Sequence, residues 1–155
     1  MTEPTTPRAT TLPLQSLANR LVRGLLRTPL IARAMGRRLV VLYITGRKSG
    51  RRYVIPIAYT RDGASLLSGS PFAWGRNLRT GESITIRLQG RLRQADVEVF
   101  SSETDVVRLY EHMCRDNCVF ASFNKIALDD SGAPSPADLH AAWAAGARAF
   151  RLTPR

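Results

Sequence analysis

The sequence is poor in lysine, cysteine and histidine, and its first two-fifths are almost without acid. Cys114 and Cys118, with His112 and His140, form no zinc pattern, because a structural zinc needs four suitably spaced thiolate or imidazole ligands. The two thiols stand four residues apart in a helix-like stretch and are expected to be reduced, as in a cytoplasmic protein. No apolar run approaches the roughly 20 residues that cross a bilayer, and no N-terminal stretch joins a basic start to an uninterrupted apolar segment. No Gly-x-Gly-x-x-Gly follows a strand-like run, so a Rossmann unit has no support. Nor does any Ser/His/Asp set, paired carboxylate or metal cluster suggest hydrolysis.

What is abundant is arginine. Lys48 and Lys125 are the only lysines among 23 basic residues, and the formal net charge is +11. Residues 1–61 hold 12 basic residues against the single acid Glu3, whereas residues 62–155 balance 11 against 11. A codon bias accounts for arginine over lysine but not for confining the excess to one end. A field focused in this way attracts an anion: a phosphate, a polyacidic ligand, an acidic membrane face or nucleic acid. Arginine's planar fork suits bidentate contact with phosphate or carboxylate. At 155 residues the chain fits one domain able to bury a core without covalent staples.

Along the chain, residues 1–13 are rich in Thr and Pro and read as a disordered arm. Leu14, Leu17, Ala18, Leu21, Val22 and Leu25 then form an apolar helical stripe with Arg20, Arg23 and Arg27 opposite. Residues 14–36 are thus an amphipathic helical segment, ended or kinked at Pro29. Two roles stay open for it: lying on an acidic membrane surface, or covering protein with its leucines. From residue 37 a single domain is expected. Strands are read at 38–45, 53–60, 64–69, 83–88 and 92–100, a short helix within 70–81, and a hairpin turn at Arg61-Asp62-Gly63. Helices follow from Ser102 to about Asn117 and from Ser135-Pro136 to about Ala145, with a last strand at 147–152. Short antiparallel strands joined by tight turns favour an α+β fold, a small barrel of six or so strands with helices outside it.

The turn Gly46-Arg47-Lys48-Ser49-Gly50-Arg51-Arg52 carries the most chemistry. Its glycines allow close backbone approach, Ser49 adds a hydroxyl, and four cations surround it, as in a phosphate-binding nest. It is not a Walker loop, since the GK[ST] order is missing; by composition alone a merely solvated basic hairpin fits it better.

Gly46-Arg-Lys-Ser-Gly50 between two hydrophobic strands, Pro56 in the second strand, Arg61-Asp62-Gly63, and then Trp74-Gly-Arg-Asn77-Leu78 together resemble the deazaflavin-dependent nitroreductase family. The likeness covers roughly residues 38–100. It implies a split β-barrel, usually dimeric, that binds coenzyme F420 or a related flavin. Arg47, Lys48 and Ser49 would contact the cofactor's phosphate, with Gly50 allowing backbone approach and Arg52 and Pro56 completing that segment. Trp74 and Asn77 would wall the ring system, Arg76 extending the positive lining. The sequence departs from the family at Tyr53, where an arginine is common, and in the shorter stretch 68–73, which has no lysine. The family's C-terminal tyrosines are not evident; Phe120 and Phe123 are placed to fill that space.

The resemblance implies an oxidoreductase that uses reduced deazaflavin on quinones, nitro compounds or similar small acceptors. The cofactor supplies the hydride, while the protein orients it and excludes water. Tyr43, Tyr59 and Ser68 are unranked candidates for a proton or hydrogen bond to the acceptor, although lone strand residues of these types more often only pack. The alternative is a non-catalytic split barrel that carries FMN, haem or a lipid-like molecule. Nucleic acid ranks third, because Tyr53 beside Arg51 and Arg52 is the one good aromatic–cation pairing. A cytoplasmic protein is expected, with peripheral membrane contact through residues 14–36 left open.

Overall fold

The structure, a computed structural model, describes residues 38–155; the expected arm and amphipathic segment lie outside the described residues. Seven strands form one antiparallel sheet: β1 (Leu39–Thr45), β2 (Arg52–Ala58), β3 (Thr60–Asp62), β4 (Ser65–Ser70), β5 (Ser83–Leu88), β6 (Arg91–Phe100) and β7 (Arg148–Pro154). Their order is β2-β1-β5-β6-β7-β4-β3. A 3₁₀ helix, Ala73–Asn77, follows β4, and α1 (Glu103–Asp116), α2 (Cys118–Phe123) and α3 (Pro136–Ala144) separate β6 from β7.

The order contains its own curvature. β2 and β3 stand at opposite ends of the sheet, yet only Tyr59 separates them in the chain. One residue spans at most about 7.6 Å between flanking Cα atoms, so the sheet must curl until its edges approach. Tyr59 donates its N–H to Arg38 O at 2.9 Å, and Ser68 Oγ donates to Ala58 O at 2.5 Å, tying the β2 end of the sheet to β4. The pattern of 53–60 predicts one strand, in a sheet of six or so; the chain instead bends at Tyr59, and Thr60 joins the other edge of a seven-stranded sheet. Hydrophobicity does not mark that bend, because Tyr59 is itself buried.

Period-two alternation builds two cores. On the concave face Val40, Leu42 and Ile44 of β1 meet Ile86 and Leu88 of β5, Ala95 and Val97 of β6, and Phe150 and Leu152 of β7, with Tyr53, Ile55 and Ile57 of β2 at the side. On the convex face Leu67 of β4 and Ala149 of β7 face the helices. Val106, Leu109, Tyr110, Met113 and Cys114 of α1, spaced for one helical face, cover them together with Phe120 and Leu139. β4 and β7 are therefore buried on both sides, which is why Ser65–Ser70 does not read as an amphipathic strand. Pro56 lies on edge strand β2 opposite Val41, where an absent N–H is tolerated.

Capping follows the sequence. The Ser102 and Ser135 hydroxyls accept from Asp105 N and Asp138 N, and Pro136 opens α3. Asn117 serves two helices: its N–H donates to Met113 O, and its Oδ1 accepts from Val119 N and Phe120 N at 3.0 and 3.4 Å. Cys114 and Cys118 therefore belong to different helices, the first buried and the second exposed, and both are free thiols. Asp116, at the end of α1, accepts from Arg38 at 3.1 Å and from Thr60 Oγ1 at 2.8 Å, fastening that helix to both sides of the Tyr59 bend.

Gly69 permits the closest approach between helix and sheet, because a Cβ there would lie 2.5 Å from Tyr110 Cε1. Gly69→Ala should cost roughly 1–3 kcal/mol as the ring is displaced, seen as a lower urea midpoint with unchanged slope. A wild-type midpoint would show that Tyr110 is not held there.

Candidate functional site

The β1–β2 connection folds on itself before it meets anything else. Gly46 N donates to Arg51 O at 2.7 Å, Gly50 N to Gly46 O at 2.9 Å, and Arg51 N to Ser49 Oγ at 3.2 Å. Gly50 has φ +69°, a left-handed conformation that glycine adopts without strain. Gly46 is needed for space: a Cβ there would meet Ser49 Oγ at 2.8 Å and the Tyr53 ring at 3.0 Å. Tyr53 thus packs half-buried against the turn and the concave core.

The turn is held against the 3₁₀ helix. Arg47 N donates to Asn77 Oδ1 at 3.0 Å, and Arg47 Nε to Asn77 O at 3.3 Å. Asn77 is itself fixed by donating Nδ2 to Trp74 O at 3.0 Å. Trp74 seats that helix: its indole is buried 5.7 Å from the Phe150 ring, and Gly75 leaves room for Phe150 Cζ, which a Cβ would meet at 2.7 Å. The far end of Arg47 pairs with Glu82 at 2.5 Å. Glu82 was not singled out in the sequence, although it is the only acid between Asp62 and Asp96.

The expected site residues therefore fall into distinct roles. Arg47, Asn77 and Trp74 are brought together as a clamp, and the Arg47 guanidinium is engaged by Asn77 O and Glu82. Lys48, Ser49, Gly50 and Arg52 are exposed around the turn, joined by Arg51, and Arg76 is exposed on the 3₁₀ helix. Lys48, Arg51, Arg52 and Arg76 have no ion-pair partner among the described residues. The backbone N–H groups of Lys48 and Ser49 have no acceptor there either, and the Ser49 hydroxyl keeps its proton for donation. Pro56 lies four residues along β2 from Arg52, about 13 Å away at strand rise, and is not part of this group. Arg52 and Pro56 project from the convex face, the side opposite Tyr53 and Ile55.

This donor set fits an anionic oxygen group: two adjacent backbone N–H groups, one hydroxyl and three exposed cations, with no carboxylate among them. Among the described residues no titratable acid–base pair accompanies it. Tyr43 OH accepts from Arg87 Nε at 3.2 Å on the convex face, the buried Ser68 hydroxyl is committed to Ala58 O, and Tyr59 is buried. Of the two phenylalanines expected near an acceptor, Phe120 is buried edge-on to Tyr110 at 5.1 Å, whereas Phe123 is exposed and edge-on to Phe72 at 6.3 Å. Among the described residues no cluster of His, Cys, Asp or Glu could hold a metal, and no helix is long and apolar enough to cross a membrane.

Comparison with models of known protein families and with curated proteins returned no match.

The hydrogen bond from Arg47 keeps the Glu82 carboxyl below its ordinary 4.5. A depressed folded value means that the contact contributes above the ordinary carboxylate range and is lost as pH falls through the depressed value. An NMR titration of Glu82 should show a midpoint below 4.5, with the Arg47 amide exchanging faster once the carboxyl is protonated. A midpoint at or above 4.5 would contradict the clamp. Asn77→Ala should cost about 1 kcal/mol and likewise accelerate exchange at Arg47; unchanged exchange would show that the turn does not rely on Asn77.

Proposed function

We propose that this chain is a split-barrel oxidoreductase that holds the phosphoryl end of a reduced deazaflavin at the β1–β2 turn and passes its hydride to a small quinone, nitro compound or similar acceptor. One observation carries the reading. The two segments that prompted the resemblance, Gly46–Gly50 and Trp74–Leu78, are about thirty residues apart in the chain yet meet through paired hydrogen bonds between Arg47 and Asn77. The curled antiparallel sheet agrees with a split barrel, and the unpaired donors of the turn agree with phosphate or an acidic tail.

In this reading Lys48, Arg51 and Arg52 supply charge, the Lys48 and Ser49 amides supply direction, and Gly50 lets the backbone come close. Arg47 and Asn77 position the turn rather than touch the ligand. The bound cofactor supplies the hydride chemistry; the chain binds it, orients it and shields it from water. Arg76 extends the positive surface beside Trp74.

The commitment of the Ser68 hydroxyl to Ala58 O removes one candidate donor to an acceptor and favours a second reading, a split barrel that carries FMN, haem or a lipid-like molecule without turnover. Titration of the protein with reduced and oxidised coenzyme F420, FMN and haem separates the two. Tight binding of the reduced deazaflavin followed by oxidation with menadione is expected; binding without turnover across a panel of acceptors supports the carrier. Lys48→Ala and Arg51→Ala should each weaken binding by about tenfold or more, as loss of a charge-assisted hydrogen bond of about 1.5–3 kcal/mol implies. Wild-type affinity in both folded variants would discredit the turn as the phosphate site.

A further inference from the structure

Five large hydrophobic side chains are exposed among the described residues, and three of them gather at one place. Phe72, between β4 and the 3₁₀ helix, is 41% exposed and edge-on to Phe123, which is 68% exposed. Val119, 61% exposed, lies one turn before Phe123 on α2. The inner side of α2 is already satisfied: Phe120 and Ala121 are buried in the helical core. Its outer side, by contrast, presents Cys118, Val119, Ser122 and Phe123 with nothing over them among the described residues.

The surroundings of this tip are cationic. Lys125 follows Phe123 by two residues, and Arg76 stands on the 3₁₀ helix that Phe72 precedes; both are exposed and neither has an ion-pair partner among the described residues. From Phe72 to Asn77 the 3₁₀ rise of about 2 Å per residue gives roughly 10 Å, and Asn77 is hydrogen-bonded to the turn that carries Lys48, Arg51 and Arg52. Exposed cations therefore stand within a few residues of Phe72 and of Phe123 in the chain.

We propose that Phe72, Val119 and Phe123 form a docking tip for an anionic lipid surface. The aromatic rings enter the headgroup region, where aromatic side chains are favoured, and Arg76 and Lys125 meet the lipid phosphates. Charge complementarity selects this occupant. A second copy of the chain would bring the same cations face to face, and an acidic protein would not call for two adjacent exposed phenylalanines. This surface is built from residues 72–125. It does not depend on the proposed cofactor.

The full-length protein is mixed with vesicles of phosphatidylcholine, with and without phosphatidylserine, and bound protein is recovered by flotation. Binding to the anionic vesicles should fall by roughly tenfold or more in Phe72→Ser/Phe123→Ser, while thermal unfolding of this surface variant stays near wild type. A fluorophore on Cys118 gives a second readout. Labelling selects it because Cys114 is buried, its thiol pushed up to about 11 by that burial. Its emission should shift to the blue on anionic vesicles and stay unchanged on neutral ones. Undiminished flotation of the double variant, or no spectral shift at Cys118, would overturn the proposal. So would concentration-dependent dimerisation in sedimentation that the double variant abolishes while vesicle binding persists.

Discussion

The bend at Tyr59 governs this fold. Because β2 and β3 border opposite edges of the sheet and share one intervening residue, the seven strands have to curl, and the concave face has to be apolar. The curl also decides where the connections fall. The β1–β2 turn and the segment after β4, distant in the chain, come to the same end of the sheet, where Arg47 and Asn77 join them. The surrounding contacts reinforce the same joint: Arg38 and Thr60 on either side of it both reach Asp116 at the end of α1, and Ser68 reaches Ala58. A sheet of these strands without that bend would have no composite site.

The charges sort themselves by partner. Arg151 faces Glu98 and Asp62 on the convex side, Arg155 faces Asp96, and Arg47 faces Glu82. Such exposed pairs contribute little individually to stability, but they neutralise the surface locally. Among the described residues the cations left without acids include Lys48, Arg51 and Arg52 of the β1–β2 turn and their neighbour Arg76, and that surplus sets the character of the site. Where arginine is paired it holds structure; where it is unpaired and adjacent to free backbone N–H groups, it is available to an anion.

Much of the architecture was legible in the sequence because each signal was local. The alternation in Ser83–Leu88, Ser102 before α1 and Ser135-Pro136 before α3 all express preferences of a few consecutive residues, and the turn expected at Arg61-Asp62-Gly63 falls one residue on, at Gly63-Ala64, with Arg61 and Asp62 in β3. What escaped was set at a distance. The division of 53–60 at Tyr59 depends on which edge each half joins. The break between Cys114 and Cys118 depends on Asn117 capping two helices at once, and helix α2 is too short for its period to show. At the site, the basic turn was visible by composition, but the withdrawal of Arg47 into a clamp with Glu82 was not, because nothing in either residue's neighbourhood announces the other. Pro56 was grouped with the site by order in the chain and stands along the strand instead.

The central claim is that the turn from Gly46 to Arg52 receives the phosphoryl end of a redox cofactor. Its most direct test is the response of the backbone amides of Lys48 and Ser49, in a two-dimensional nitrogen–proton NMR spectrum, to saturating oxidised coenzyme F420. The account predicts that these two signals move downfield more than any others in the folded domain, as new hydrogen bonds to phosphate form. Unmoved Lys48 and Ser49 signals, with the largest changes elsewhere in the sheet, would contradict it.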